Sequence, residues 1–97
     1  MAFAVEVSPG AQRDARGAYE WYRERSTKAA DSFRTELLKA FELISENPAA
    51  WSAVSGNIRR FVLKRYPYTV YFEFDGSVVW ILAIGHHRQR PHVWAGR

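Results

Sequence analysis

The stretch I-R-R-F-V-L-K-R-Y-P-Y-T-V-Y-F-E-F-D-G-S-V-V-W-I-L-A-I-G-H, from Ile58 to His86, decides the fold. Arg59, Phe61, Leu63 and Arg65 alternate with Arg60, Val62 and Lys64, and Tyr68, Val70, Phe72 and Phe74 alternate with Thr69, Tyr71 and Glu73. This period of two is that of β-strands. Asp75-Gly76 supplies the residues of a tight hairpin turn. Beyond it, Val78, Trp80, Leu82 and Ile84 share one face and Val79, Ile81 and Ala83 the other, so the last strand is apolar on both sides. Such a strand is central in its sheet or covered by a partner. The stretch therefore predicts a three-stranded antiparallel meander.

Upstream, Phe3, Val5 and Val7 alternate with Ala4, Glu6 and Ser8 as a short strand. Ser8-Pro9 fits a helix N-cap with proline at the first helical position, where a missing N–H costs nothing. The helix that follows places Ala11, Ala15, Ala18 and Tyr22 on one stripe flanked by Tyr19 and Trp21, and runs to about Arg25. Ser26-Thr27 caps a second helix with the stripe Ala30, Phe33, Leu37, Phe41 and Ile44, stopped by Asn47-Pro48. Two amphipathic helices joined this closely form an antiparallel hairpin. Residues 49–57 read as a loop with one apolar anchor, Trp51, closed by Gly56-Asn57. The order β-α-α-β-β-β predicts an α+β fold in which the helical hairpin packs on one face of a small, mainly antiparallel sheet.

Ninety-seven residues allow a single domain, 1–97, with one core. The chain has no cysteine, which removes disulfides, thiol nucleophiles and thiolate metal sites together. No signal peptide and no membrane-spanning apolar run is visible, so a cytoplasmic protein without a membrane partner is expected. The net charge of +4 is uneven: residues 1–57 carry seven Lys/Arg against eight Asp/Glu, and residues 58–97 carry seven against two. The C-terminal part therefore suits an acidic partner.

The chemistry-bearing residues gather in the same region. The end of the chain, Ala83 to Arg97, holds three arginines, all three histidines and a tryptophan, with no acid. His86, His87 and His92 lack the neighbouring acids or thiols that complete a metal site, so neither metal nor cofactor is expected. No phosphate-binding glycine loop and no nucleophile elbow is present. What remains is a set of cations, Arg59, Arg60, Lys64 and Arg65 on one strand and His86, Arg88, Arg90 and Arg97 after another. If adjacent strands bring the two groups together, they would suit a metal-free ribonuclease, with arginines stabilising phosphorane charge and a histidine moving protons. A solvated basic face is the alternative.

Ile58 to Gly76, followed by I-L-A-I-G-H and R-P-x-x-W-x-x-R, resembles the ParE branch of the ParE/RelE toxin superfamily, with Arg59, Tyr66, Pro67, Tyr68, Ala83, His86, Arg90, Pro91, Trp94 and Arg97 at the matching positions. The N-terminal V-x-V-S-P-x-A-x-x-D, through Ser8, Ala11 and Asp14, resembles it too. The resemblance implies a bacterial toxin of a type II toxin–antitoxin pair, held in a hetero-oligomer by its antitoxin and associated with growth arrest and plasmid stabilisation. ParE-like members inhibit DNA gyrase without being enzymes in their own right. RelE-like members are ribosome-dependent mRNA endoribonucleases, commonly with a late Tyr or His, and an inactive member would bind only its antitoxin. This chain has no Tyr after Tyr71 but keeps His86. Gyrase is thus the expected target, contacted through Arg59, Arg60, His86, Arg88, Arg90, Trp94 and Arg97. On the nuclease reading Arg59, His86 and Arg90 are the catalytic candidates, with the ribosome and mRNA as partners. Antitoxin contacts are expected at Tyr19, Tyr22, Val79 and Ile81.

Overall fold

A computed structural model describes residues 2–88. Strand β1 (Ala4–Val7) leads into helix α1 (Pro9–Arg23) and helix α2 (Thr27–Glu46), followed by a 3₁₀ turn at Pro48–Ala50 and strands β2 (Ala53–Ser55), β3 (Ile58–Val62), β4 (Tyr68–Phe74) and β5 (Val78–His86). The strands form one sheet in the order β1-β5-β4-β3-β2, with β1 parallel to β5 and every other pair antiparallel. The N-terminal strand, the helical hairpin and the antiparallel meander all form as the residue pattern predicts.

Both helix starts follow from side-chain chemistry. The Ser8 hydroxyl accepts from the Ala11 amide and the Ser26 hydroxyl from the Ala29 amide, both at 3.1 Å, satisfying donors that have no partner inside the helix. Asp75 turns the β4–β5 hairpin by accepting from the Ser77 and Val78 amides at 2.9 Å each, and Gly76 takes φ +98°, where a side chain would be strained.

Two strand assignments need correction. Residues 49–57 are not all loop, because Ala53–Ser55 adds a fifth strand at the sheet edge. Three residues with a register shift are too short to show an alternation. The β3 strand also ends at Val62 rather than near Arg65. Leu63 turns inward and is buried, and the Lys64 and Arg65 amides leave the ladder for the Glu36 carboxylate at 2.7 and 3.2 Å.

The core lies between the helices and one face of the sheet. Phe33, Leu37, Ala40 and Ile44 of α2 and Ala11 and Ala18 of α1 meet Val70, Phe72, Val79 and Ile81. Each large side chain so buried contributes roughly 1.5–3 kcal/mol of transfer free energy. An aromatic cluster extends this core toward the α1–α2 turn: Tyr22 lies 5.5 Å from Phe33, 5.0 Å from Tyr66 and 6.4 Å from Tyr68 between ring centres.

Cross-strand pairing shows which face each strand residue occupies. Val7, Ile81, Phe72 and Arg59 form one row on the helix side, and Glu6, Trp80, Glu73 and Ile58 form a row on the opposite side. The two residues Tyr71 and Phe72 on β4 are matched by three on β5, Ile81 to Ala83. This bulge at Leu82 brings Ile84 onto the same side as Val79 and Ile81, not with Trp80 as strict alternation predicts.

Candidate functional site

The bulge positions the site. β1 pairs with β5 only as far as Ile81, and beyond that point the start of α1 takes over the open edge of β5. The Ser8 amide donates to the Ile81 carbonyl at 2.9 Å and the Ser8 hydroxyl to the Leu82 carbonyl at 3.1 Å. The Asp14 carboxylate then accepts from the Ile84 amide at 3.0 Å. These bonds hold the last turn of β5 against α1. Between them opens a cleft of about 770 Å³ whose walls include Arg13, Trp21, Tyr22, Tyr68, His86 and Arg88.

Inside the cleft His86 packs edge-on against Tyr68, with ring centres 5.0 Å apart at 89°. Its Nδ1 accepts from the Arg88 amide at 3.0 Å, so in the neutral ring the proton sits on Nε2. Burial raises the hydroxyls of both Tyr22 and Tyr68 above the ordinary tyrosine value. His87 points elsewhere: its Nε2 lies 3.1 Å from Thr69 Oγ1 and its amide donates to the Pro67 carbonyl at 2.9 Å.

The expected cation cluster is divided. β4 lies between β3 and β5, so the two basic groups are not on adjacent strands. Arg59 faces the helix side, and its Nη1 donates to the Trp51 carbonyl at 2.6 Å and to the Ala49 carbonyl at 3.4 Å, tying down the 3₁₀ turn. Arg60, paired with Tyr71, points to the opposite face. On β4, Phe72 is level with Arg59 and Tyr68 with His86, four positions apart, which at about 3.3 Å per residue sets the two roughly 13 Å apart along the strand direction. Arg90, Trp94 and Arg97 lie outside the described residues, as does His92. Among the described residues no three His, Cys, Asp or Glu side chains gather as metal ligands.

The antitoxin candidates also separate. Val79 and Ile81 are fully buried under the helices and have no surface to offer, which corrects their assignment as partner contacts. On the opposite face of the same strand Trp80 is 42% exposed. Tyr22 belongs to the cleft and the aromatic cluster. Tyr19 lies on the other side of the hairpin, where its hydroxyl donates to Asp31 at 3.2 Å beside a groove of about 370 Å³ between α1 and α2. Ala15, Leu37, Leu38 and Phe41 line this groove with Arg16 and Arg34, and Leu38 is 52% exposed.

Asp14, Arg13 and Trp21 were not singled out as site residues by sequence. For Asp14 a signal exists: with Ala11 and Ala18 it occupies one face of α1 at spacings of three and four, and a carboxylate on an apolar stripe implies a specific buried donor.

No helix among the described residues is long and apolar enough to cross a membrane. No curated protein sequence matches the chain. Among solved structures, the chromosomal ParDE toxin–antitoxin system from P. aeruginosa superposes with a TM-score of 0.76 at 16% identity, over 88% of this chain and 96% of that one. The RelBE2 toxin–antitoxin complex from Mycobacterium tuberculosis superposes with a TM-score of 0.60, also at 16% identity, over 89% and 99%. At these identities the likeness is one of fold. The sequence itself matches the model of the ParE toxin of type II toxin–antitoxin systems, parDE, over residues 5–91, nearly the whole chain, and the protein belongs to that toxin family.

Proposed function

We propose that this ParE-family toxin acts in the cytoplasm by binding DNA gyrase, arresting replication until an antitoxin occupies it. The observation that carries the reading is the match to the ParE family along nearly the whole chain. Two features of the site agree with a binding function more than with RNA cleavage. A general base must present a free lone pair to the hydroxyl it deprotonates. In the neutral His86 ring that lone pair is on Nδ1, where it already takes the Arg88 amide. Arg59, the cation paired with it on the nuclease reading, holds carbonyls of the 48–51 turn far along the sheet.

The residues proposed to contact gyrase are Arg88 in the cleft wall, Arg60 on the open face of the sheet, and Arg90, Trp94 and Arg97, which follow Arg88 in sequence. The antitoxin is proposed to lay an amphipathic helix in the groove beside Tyr19, its apolar side on Leu37, Leu38 and Phe41 and its acidic flank toward Arg16 and Arg34. The toxin–antitoxin complexes among the structural neighbours support an antitoxin as partner.

The direct test is a supercoiling assay with purified gyrase. The free chain should inhibit supercoiling or trap cleaved DNA, and the neighbouring gene product should reverse this. Full supercoiling at saturating toxin, with codon-phased cleavage of mRNA on ribosomes, would contradict the proposal.

A further inference from the structure

Trp21 is 51% exposed on a helix whose other side is packed into the core. Arg25 lies over its indole with Cζ 3.6 Å from the ring centre, anchored by a 2.6 Å bond from Nη1 to the Trp21 carbonyl. A guanidinium therefore covers one ring face while half of the residue stays open. The α1–β5 cleft brings this indole together with the Tyr68 ring, Arg13 and Arg88. Neither Arg13 nor Arg88 forms an ion pair among the described residues. The one carboxylate in the wall, Asp14, has an oxygen committed to the Ile84 amide.

Aromatic faces beside arginines are the means by which proteins hold single nucleotides: the base stacks on the ring and the phosphate takes the guanidinium. The volume of about 770 Å³ falls among small-molecule sites. An acidic peptide would satisfy the arginines but would leave the indole and the Tyr68 ring without a flat partner.

We infer that this cleft binds a nucleotide, with the base stacked on Trp21 and the phosphate held by Arg13 and Arg88. The ligand chemistry is shared by a free nucleotide and by an unpaired nucleotide within a strand. The site is separate from the proposed antitoxin groove and does not depend on which target the toxin arrests.

Calorimetric titration of the full chain tests this, with adenosine 5′-monophosphate, a short single-stranded oligodeoxynucleotide, adenosine, inorganic phosphate and a polyglutamate peptide as probes. Saturable binding of the nucleotide is expected, with adenosine or phosphate alone weaker by at least about tenfold, since each lacks one half of the interaction. Trp21→Ala and Arg13→Ala should each weaken nucleotide binding by at least about tenfold with melting temperature unchanged, and Lys39→Ala, outside the cleft, should leave it intact. Equal affinity for mononucleotide and oligonucleotide assigns the site to free nucleotides; tighter, salt-dependent binding of the oligonucleotide assigns it to a strand. Absence of saturable binding to either nucleotide probe, a preference for phosphate alone or for the acidic peptide, or binding that survives both variants would overturn the inference. The gyrase assay is unaffected by any of these outcomes.

Discussion

Ser8 makes four hydrogen bonds within one residue. Its amide and hydroxyl donate to consecutive carbonyls of β5, its hydroxyl also accepts from Ala11, and its carbonyl accepts the Gln12 amide to start α1. Ser8→Ala removes both bonds of the hydroxyl and should cost about 1–2 kcal/mol in urea denaturation, the usual loss for a helix cap. Asp14→Ala leaves the Ile84 amide without an acceptor in a part-buried site, and a loss of about 1–3 kcal/mol is expected. Faster hydrogen exchange at Ile84 is the more specific sign, because a general loss of stability would speed exchange throughout the core. Asp75 gives a pH signature. Hydrogen bonds from the Val78 and Ser77 amides lower its carboxyl to about 2. A carboxyl depressed on folding stabilises the native state fully above its unfolded value near 3.9, and this contribution disappears as the pH falls toward 2. Between pH 5 and pH 2.5 the melting temperature of the parent should therefore fall further than that of Asp75→Asn.

The inner and outer faces of α2 have different tasks, and single substitutions separate them. Phe33 is buried at the centre of the aromatic cluster, so Phe33→Ala should cost about 3–5 kcal/mol. Leu38, five residues further on α2 and half exposed in the outer groove, should tolerate alanine within about 0.5 kcal/mol while losing affinity for the antitoxin. If Leu38→Ala melts as the parent does and binds antitoxin equally well, the groove is not the antitoxin site. Periodicity makes α1, α2, β4 and β5 readable from residues alone, because each runs long enough to repeat its pattern. It fails where the pattern is too short or two-sided. β2 has three residues and no repeat, and β5 is apolar on both faces, so spacing cannot tell which face meets the helices. The bulge at Leu82 then moves Ile84 across, a shift set by pairing with Tyr71 and Phe72 rather than by β5 itself. For the same reason Arg59 and Arg60, adjacent and alike in sequence, have opposite surroundings. Arg59→Ala should destabilise the fold by releasing the carbonyls at 49 and 51, whereas Arg60→Ala should leave thermal melts unchanged.

Across the whole molecule, charge and topology act together. The excess of Lys and Arg after residue 57 is carried by the sheet and the end of the chain, while the near-neutral first half forms the helical hairpin with its apolar outer groove. The division fits a protein with two kinds of partner, an amphipathic segment over the helices and an acidic target at the basic end. The separation of the basic groups follows from the meander itself, since β4 lies between β3 and β5; what spacing alone could not provide is that Arg59 turns to the helix side to hold the 48–51 turn. The central claim is that the toxin stops replication by acting on gyrase. Pulse labelling with thymidine and methionine, begun at induction in cells lacking the antitoxin, tests it most directly. Thymidine incorporation should fall first while methionine incorporation continues, and an immediate loss of methionine incorporation with thymidine uptake preserved would contradict it.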